Sequence, residues 1–393
     1  MKVLYIDVNC KNSSTGSIIY SLFSECSKYG IEAAVCYGRG PKIKEKNVYK
    51  FGLDFETLIH AFLTRLTGLM GYYSFFSTRR LIKYIKRFNP DIIHIHELHS
   101  YFVNVPKILK FVKEKKYKVV FTNHCEFIYT GKCGHSKECG RYSDKCGKCP
   151  HLKDYPASLC FDRTEKMLID KKKLFADWND CYFVNPSFWI SSKMSKSFLS
   201  NKKSTVIHNG IDTNLFNFVT YNKEGGPKTI VSVAPNIMSD LKGGFRIIEI
   251  AKRCLDKNYK FVIIGDTQQT KIDLPDNVTI LPLIKDKNEL INYYKNSDLF
   301  LICSLLETFP TTCLEAQCCG LPVCGFDVGG VKETILDGNG ALAPFEDYEA
   351  LVNVINTILS NEIDHETISK KSSKEFSNHN MFSKYLEIYN KIL

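Results

Sequence analysis

The 393-residue sequence lacks long hydrophobic runs, internal repeats and low-complexity segments. Its apolar stretches stay well short of the roughly 18 residues that a membrane-spanning helix needs. The opening residues, MKVLYIDVNC, contain Asp7 within a short apolar stretch, so we expect a first strand and no secretory signal peptide. An apolar content of 44% and a charged content of 24% are typical of globular proteins. The length predicts two domains.

The sixteen cysteines would suggest disulfides in a small secreted protein, but this chain is large. Most of the cysteines, among them Cys36, Cys303 and Cys324, lie in apolar strands or helices, where a free thiol behaves as a small hydrophobic group. We therefore expect free thiols in a reducing cytoplasm.

Charge is divided unevenly between the two halves of the chain. Residues 1–205 contain 35 Lys and Arg against 18 Asp and Glu, whereas residues 206–393 contain 18 against 24. The first half is therefore expected to meet an anionic partner, such as a membrane face, a lipid diphosphate or a nucleic acid.

Both halves alternate short apolar strands with helices, which is typical of parallel, doubly wound α/β sheets. The strands are predicted at 3–7, 33–38, 91–96, 118–124, 181–187, 204–210, 229–235, 260–266, 278–283, 298–304 and 322–327. The turn-prone sequence HNGID at 208–212 predicts the boundary between the domains. We expect domains at 1–209, with a cysteine-rich insert at 131–156, and at 210–375, followed by a terminal segment at 376–393 that contains an amphipathic helix.

The insert has four cysteines within 17 residues: Cys133, Cys139, Cys146 and Cys149. Four thiolates can close a tetrahedral zinc site, and the final C-x2-C has a chelating spacing, although the first pair is spaced more widely than usual. His135 and His151 are alternative ligands. Two disulfides and four free thiols are the other interpretations. A site with four protein ligands has no open position, so zinc here is expected to be structural.

The most informative segment is 304–335, SLLETFPTTCLEAQCCGLPVCGFDVGGVKETI. It separates Glu307 from Glu315 by seven residues, with a proline between them that predicts a helix start. We expect the N–H groups of Thr311 and Thr312 at the N-terminus of that helix, where a phosphate binds well. One carboxylate can accept two hydrogen bonds from a ribose diol while the other holds a second ring. The segment thus suits a nucleotide sugar, and a surface helix with solvated glutamates is the alternative.

This segment resembles the donor-site motif of the family 4 retaining glycosyltransferases, which have the GT-B fold. The matching residues are Glu307, Glu315, Ala316, Gly320–Val323, Gly329, Gly330 and Glu333. The resemblance implies an α/β protein with two Rossmann-like, doubly wound domains that face a central cleft. The first would be the acceptor-side domain and the second would bind the nucleotide sugar, and the last helix would cross back to the first. The insert resembles one in transferases of the colanic-acid type from bacterial surface-polysaccharide pathways.

The resemblance also implies roles for residues outside this segment. Lys242, followed by Gly243, matches a lysine that neutralises the donor diphosphate. His124 matches a histidine beside the donor sugar. The small-residue loop 12–17, with Gly16, matches a loop that faces the diphosphate and the acceptor. Attack would occur on the front face with retention, the leaving diphosphate would take the acceptor proton, and catalysis would require no cofactor.

Two positions depart from the family pattern. Ile237 stands where the family has an arginine, so Asn236 is a candidate neutral donor to the diphosphate. Cys125 follows the histidine where the family often has an aspartate, and Glu126 is the nearest replacement. A solvated lysine and a histidine that merely ends a strand are the structural alternatives for the two matched residues.

The stretch 62–88 mixes apolar residues with six basic ones: Arg65, Arg79, Arg80, Lys83, Lys86 and Arg87. It is typical of an amphipathic surface on anionic lipid, and equally of a core-packed helix with a solvated basic face. With the charge asymmetry, it leads us to expect a cytoplasmic protein with peripheral contact at the inner face of the membrane.

The leading hypothesis is a retaining glycosyltransferase of surface polysaccharide synthesis. It would move a sugar from a nucleotide-diphosphate sugar to a lipid-linked or oligosaccharide acceptor. The alternatives are a basic zinc-knuckle protein that binds nucleic acid, and a GT-B-like sugar-nucleotide epimerase. The acidic second half and the Glu/Gly motif fit the nucleic-acid hypothesis poorly, so we expect no nucleic-acid partner.

Overall fold

The computed structural model describes residues 1–11, 13–218, 225–266 and 273–393. The chain divides into two compact units. The first comprises Met1–His208 together with Phe382–Leu393, and the second comprises Asn209–Met381. The division thus falls within the turn-prone segment 208–212.

The first unit contains a seven-stranded parallel sheet. Its strands are β1 Lys2–Asp7, β2 Glu32–Tyr37, β3 Val48–Lys50, β4 Ile92–Ile95, β5 Lys118–Thr122, β6 Cys181–Asn185 and β7 Ser204–Val206. Their order across the sheet is β3-β2-β1-β4-β5-β6-β7, so the strand order reverses between β1 and β4. The central strands are apolar and buried along their length, as expected for a parallel sheet covered on both faces.

The second unit contains a six-stranded parallel sheet. Its strands are β8 Lys228–Val233, β9 Tyr259–Ile264, β10 Val278–Leu281, β11 Leu299–Ile302, β12 Val323–Phe326 and β13 Gly340–Ala343. Their order is β10-β9-β8-β11-β12-β13, with the reversal between β8 and β11. Ligands of such sheets bind where the order reverses, beyond the carboxyl ends of the strands. A ligand of this unit is therefore expected at the loops that follow β8 and β11.

Twelve α-helices are described. Those numbered α1 to α6 are Ser14–Lys28, Asp54–Thr67, Phe75–Phe88, Val105–Glu114, Thr164–Phe175 and Phe188–Ser195. Those numbered α7 to α12 are Gly244–Arg253, Lys287–Lys295, Thr311–Cys318, Tyr348–Ser360, His365–Glu375 and Asn378–Ile392. Polar N-caps begin several of them; for example, Ser13 accepts from the N–H of Gly16, and Asn104 accepts from the N–H of Lys107.

The predicted α/β class with two doubly wound sheets is confirmed. Every predicted strand overlaps an observed one, but β3 and β13 were not predicted. Both are short edge strands, and their sequences, VYK and GALA, contain a lysine and a glycine that sequence patterns do not associate with strands.

The terminal helix α12 ends among the buried polar groups of the first unit. The Tyr385 hydroxyl lies 2.9 Å from Thr122 Oγ1, and the Tyr389 hydroxyl lies 2.7 Å from His94 Nδ1. The Tyr389 hydroxyl also donates to the hydroxyl of Tyr5 at 3.2 Å. All five residues are almost fully buried, so these hydrogen bonds satisfy groups that would be costly to leave unpaired.

Candidate functional site

The loops that follow β8 and β11 bring Lys242 and Glu307 together. Lys242 Nζ donates to Glu307 Oε1 at 2.7 Å, and the Ser304 hydroxyl donates to the same oxygen at 2.8 Å. The exposed fraction is 27% for the lysine side chain and 14% for the glutamate. Because both keep some contact with solvent, the ion pair can exchange a partner for a charged ligand.

Glycines fix the backbone on both sides of this ion pair. Gly243 adopts φ +74°, and a Cβ there would lie 1.9 Å from the carbonyl oxygen of Cys303. Gly329 adopts φ +57°, and a Cβ there would lie 2.1 Å from the carbonyl oxygen of Glu307. That same oxygen accepts a hydrogen bond from the N–H of Gly330 at 2.8 Å. A side chain at Gly243 or Gly329 would therefore displace the loop that carries one partner of the pair.

Glu315 lies on α9, and its Oε2 accepts from the hydroxyl of buried Tyr294 at 3.2 Å. Burial raises the pKa of Glu315 to about 7, and the hydrogen bond from Tyr294 and the charge of Lys287 offset only part of that shift. The buried thiol of Cys313 interacts electrostatically with Glu315, Glu307 and Lys242. The two predicted acids and the lysine therefore occupy one neighbourhood, and Glu315 can change its protonation near neutral pH.

Thr311 and Thr312 are the first two residues of α9. The helix follows Pro310, whose side chain cannot cap it, and no side-chain cap is formed there. The N-terminus of an uncapped helix is favourable for an anion. Glu333, also part of the predicted motif, lies in a 3₁₀ turn at Lys332–Thr334.

Ile237, at the position of the family arginine, and its neighbour Asn236, the candidate neutral donor, have different environments. Ile237 is 2% exposed and packs in the core of the second unit. Asn236 is exposed, with φ +49°. A nearby guanidinium, that of Arg246, is engaged by Asp240 at 2.9 Å and by Glu346 at 3.2 Å.

In the first unit, the predicted small-residue loop leads from β1 into α1. Asn12 lies outside the described residues. Gly16 is close-packed, since a Cβ there would lie 2.9 Å from Ser13 Oγ and 3.2 Å from the nitrogen of Lys11. Thr15 Oγ1 donates to Asp7 Oδ2 at 3.1 Å. Burial and the charge of Glu97 raise the pKa of Asp7 to about 7.

His124 lies just beyond β5 in a row of histidines. Its Nε2 is 2.8 Å from His96 Nδ1, and the two rings stack with centroids 5.1 Å apart. His94 adjoins His96 at 4.2 Å between centroids. Burial lowers the pKa of His124 to about 4, and the charge of Glu97 opposes that shift only in part. The imidazole is therefore neutral at physiological pH and can exchange hydrogen bonds with a sugar hydroxyl.

Glu126, which sequence reasoning considered as a partner for His124, points into the insert. Its two carboxylate oxygens accept from the N–H of Ser136 at 2.9 Å and from the hydroxyl of Ser136 at 2.5 Å. The carboxylate beside the histidine is instead Glu97, which follows β4 and accepts from the thiol of Cys125 at 3.2 Å.

Glu97, His99 and Cys125 form a group that sequence reasoning missed. His99 Nε2 lies 2.8 Å from Glu97 Oε2. Burial alone would lower the pKa of His99, but the charge and hydrogen bond of Glu97 raise it. Within the described residues, this is the group of potential metal ligands whose atoms all lie within 4.8 Å of one another. This group has no characteristic spacing in the sequence, because its members follow two different strands.

The four cysteines of the insert line one cavity of about 20 Å³. All four are free thiols, so the two-disulfide interpretation does not describe this structure. The side chains of Cys133 and Cys149 are hydrogen bonded to each other. His151 Nδ1 bonds to Asp154 Oδ2 at 3.1 Å, and among the described residues neither this histidine nor His135 belongs to the cavity lining.

The fold agrees with what the chain is similar to. The family described as Glycosyltransferase Family 4 matches residues 15–215, and the family described as Glycosyl transferases group 1 matches residues 216–375. A protein of Escherichia coli (strain K12), whose name assigns it to colanic acid biosynthesis as the glycosyl transferase WcaC, is 23% identical over 99% of both chains. The capsular polysaccharide biosynthesis glycosyltransferase CapM of Staphylococcus aureus is 26% identical over 44% of this chain and 49% of its own.

Solved structures share the fold at low sequence identity. Sucrose-phosphate synthase from Thermosynechococcus elongatus superposes with a TM-score of 0.73 at 14% identity, covering 100% of this chain and 98% of the other. Anabaena Alr3699/HepE in complex with UDP-glucose superposes with a TM-score of 0.64 at 16% identity, with full coverage of both chains. The fold is thus that of the GT-B glycosyltransferases.

The chain belongs to glycosyltransferase family 4, since the two family matches together span residues 15–375. It is a glycosyltransferase. The predicted family and enzyme class are therefore confirmed.

Proposed function

We propose that the enzyme transfers a sugar, with retention of anomeric configuration, from a nucleotide-diphosphate sugar to a lipid-linked or oligosaccharide acceptor in surface polysaccharide synthesis. The observation that supports this most directly is the group formed by Lys242, Glu307 and Glu315 at the strand-order reversal of the second sheet. The polysaccharide names of the relatives and the UDP-glucose bound to HepE support the same proposal.

The donor is proposed to engage three parts of this group. Lys242 would leave Glu307 to neutralise the diphosphate, aided by the N-terminus of α9 at Thr311 and Thr312. Glu307, released from the lysine, would accept hydrogen bonds from the donor sugar. Glu315 would accept from the ribose diol. A bound donor therefore replaces the internal ion pair by two ligand contacts, which limits the desolvation cost of binding.

The acceptor is proposed to bind beyond the carboxyl ends of the strands of the first sheet, near His124. The neutral imidazole would hydrogen bond a sugar hydroxyl, and the protein would contribute positioning and stabilisation of the departing diphosphate. The diphosphate oxygen would take the acceptor proton, so no protein base is required. The excess of basic residues in the first half suits a lipid diphosphate at the reducing end of the acceptor. Such an acceptor would bring the enzyme to a membrane surface.

The test combines binding and turnover across a panel of nucleotide sugars. We expect Glu315→Gln mainly to weaken donor binding, and Glu307→Gln mainly to lower turnover. Glu366→Gln is the matched control, because this exposed glutamate pairs with Lys370 on the surface helix α11. If both site variants behave like the control, the site assignment is wrong.

The two alternatives have distinct signatures in the same assay. A sugar-nucleotide epimerase would convert the donor without an acceptor, whereas a transferase releases free nucleotide in proportion to glycosylated acceptor. Steeply salt-dependent DNA binding without nucleotide release would support the nucleic-acid hypothesis instead.

A further inference from the structure

Helix α2 has the reverse of the usual polarity for a surface helix. Its buried side is polar and consists of Glu56, Thr57, His60 and Thr64. Glu56 accepts from the N–H groups of Phe76 and Ser77 at 2.8 and 2.7 Å. His60 Nδ1 lies 2.7 Å from the hydroxyl of Ser74, and its Nε2 accepts from a backbone N–H at 3.1 Å. Hydrogen bonds of Glu56 and His60 therefore attach this helix to the protein.

The outward side of α2 is apolar. Its exposed residues recur at helical spacing: Phe55 (57% exposed), Leu58 (73%), Ile59 (51%), Phe62 (60%) and Leu66 (40%). Residues spaced by three and four share one helix face, and in a surface helix that face ordinarily points to the core. Here it points away from the protein.

Two neighbouring segments extend this surface. Phe75 and Phe76 are 53% and 65% exposed at the start of α3, which α2 contacts through Glu56. Leu159 and Phe161 are 65% and 53% exposed. The N–H of Leu159 donates to the carbonyl oxygen of Arg65 on α2 at 2.8 Å. We call the nine residues on α2 and these two segments the apolar face.

Cations border the apolar face. Lys107 Nζ lies 5.8 Å from the centre of the Phe75 ring, and the guanidinium of Arg163 lies 5.6 Å from the centre of the Phe161 ring. Arg65 is exposed on α2 itself. Large apolar side chains edged by lysine and arginine are characteristic of surfaces that lie in the interface of an anionic bilayer.

The stretch 62–88, expected to be either an amphipathic basic surface or a core-packed helix with a solvated basic face, covers the end of α2 and all of α3. The stretch breaks into two helices, and α3 is the core-packed element, with Leu81, Tyr84 and Ile85 inward and Arg79 and Lys83 outward. The outward apolar side chains belong mostly to α2, which begins before the predicted stretch. Within the part of the chain that the structure describes, every helix falls short of the length and hydropathy needed to cross a membrane.

We propose that the apolar face inserts into the interfacial layer of an anionic lipid bilayer and holds the first unit at its surface. The lipid tails would take up the exposed side chains of α2, and the phosphate groups would meet the bordering cations. A second copy of the chain is a poorer occupant, because a symmetric pair would oppose the same cations across the interface. Delivery of a lipid-linked acceptor as the purpose of this contact rests on the proposed function, whereas the contact itself does not.

Vesicle flotation with the purified chain tests the proposal. We expect binding to vesicles of equal parts phosphatidylcholine and phosphatidylglycerol, and weaker binding to phosphatidylcholine alone. Leu58→Ser combined with Phe62→Ser should reduce binding by at least about tenfold, because both side chains would leave the lipid. The matched control is Phe245→Ser combined with Leu255→Ser, which removes two apolar side chains, 51% and 57% exposed, from the second unit.

Two further measurements separate the possible outcomes. Turnover with a water-soluble acceptor should be unchanged in the Leu58/Phe62 variant, so loss of vesicle binding cannot be ascribed to a damaged enzyme. Vesicle binding that is equal in both double variants would overturn the proposal. A second outcome would also overturn the proposal. In it, the parent sediments as a dimer and fails to bind vesicles, and the combined Leu58→Ser and Phe62→Ser substitutions dissociate that dimer.

A second inference concerns the cysteine-rich insert. We propose that Cys133, Cys139, Cys146 and Cys149 bind one structural Zn²⁺. The four thiols are of the type and number that zinc requires, and they line a cavity large enough for a single ion. Among the described residues their sulfurs do not form a group within 4.8 Å, so metal binding would draw them closer and tighten the insert.

Two buried lysines provide charge compensation for such a site. Lys132 Nζ donates to the carbonyl oxygens of Leu152, Asp154 and Pro156, at 2.8–3.0 Å. Lys171 Nζ donates to three other carbonyl oxygens at the base of the insert. Lys132 interacts electrostatically with Cys133 and Cys149, and Lys171 with Cys146. Four thiolates around Zn²⁺ leave two negative charges, which these two ammonium groups would offset.

Elemental analysis of the purified chain tests the zinc site. We expect about one zinc per chain, lost in Cys146→Ser combined with Cys149→Ser and retained in Cys160→Ser, the exposed control cysteine. A chelator should lower the melting temperature of the parent and leave that of the double variant unchanged. Absence of bound zinc after reconstitution, or its loss in Cys125→Ser in place of the insert variant, would refute this assignment.

Discussion

The two units hold their candidate catalytic residues by different means. In the second unit, Lys242 and Glu307 lie on loops whose backbones touch at glycines, so the backbone itself fixes the site. In the first unit, His124 is held by a chain of side chains that runs through His96 and His94 to Tyr389. Backbone contacts at glycine can be recognised in the sequence, because the glycine is part of a motif. A network of side chains drawn from distant segments has no comparable sequence pattern.

Removing the charge of Glu307 should have the largest effect. Glu307→Gln is expected to lower kcat by about 100-fold to 1,000-fold, as when a single transition-state contact is removed. Donor affinity should change far less, because Lys242 is then free of its internal partner. Steady-state kinetics with a saturating donor measure the effect, and a variant that loses only affinity would reassign Glu307 to ground-state binding.

Gly329→Ala should show that the backbone positions this site. The new methyl group would meet the carbonyl oxygen of Glu307 at 2.1 Å, in a conformation with φ +57°. We expect a loss of about 2 kcal/mol or more in the free energy of unfolding and a lower kcat. Gly338→Ala is the control, because φ is +81° there and the nearest atom is the flexible Lys371 Nζ at 3.7 Å. Equal effects in both would mean that strain alone, and not displacement of Glu307, lowers activity.

Tyr389→Phe breaks the side-chain network of the first unit at its far end. It removes the hydroxyl beside His94 Nδ1 and leaves that buried nitrogen without this partner. The free energy of unfolding should fall by about 1–3 kcal/mol, with kcat little changed. Tyr259→Phe, which removes a partly exposed hydrogen bond to Asn356, is the control. A large loss of kcat at unchanged stability would instead connect α12 to catalysis.

The smallest effect is expected from pH. Because the pKa of Glu315 is raised from 4.5 to about 7, protonation below neutral pH removes its charge and turns one acceptor oxygen into a donor, so it accepts less well from a ribose diol. Donor affinity should fall by at most about tenfold per pH unit below 7. The intact nucleotide sugar has no titrating phosphate in this range, so calorimetry with it reports the protein group. Glu315→Gln should bind more weakly than the parent above pH 7, with a flat profile that the parent approaches as its Glu315 becomes protonated.

The same pKa shift acts on stability with the opposite sign. Between pH 4.5 and about 7 the folded protein holds a proton on Glu315 that the unfolded chain has released. Without donor, stability should therefore fall as pH rises through this interval. Chemical denaturation of the parent and of Glu315→Gln checks the sign.

The fold class and most elements could be predicted because short apolar strands alternate with helices throughout the chain. The grouping of Lys242, Glu307 and Glu315 could be predicted because the motif from Glu307 to Glu333 is compact in sequence and Lys242 precedes a glycine. Glu97, His99 and Cys125 could not, since only the adjacency of β4 and β5 brings them together. The outward direction of the apolar side of α2 could not be predicted either. Apolar residues at helical spacing form the same sequence pattern whether that side faces the core or the solvent.

The placement of α12 has a consequence for synthesis of the chain. Residues 1–208 leave the ribosome long before Tyr385 and Tyr389 exist, yet Thr122 and His94 have those hydroxyls as partners in the finished protein. In the nascent first unit, the buried polar groups of β4 and β5 therefore lack these partners until the whole second unit has been synthesised. A chain truncated after Met381 would contain the whole second unit and still be a candidate for chaperone capture.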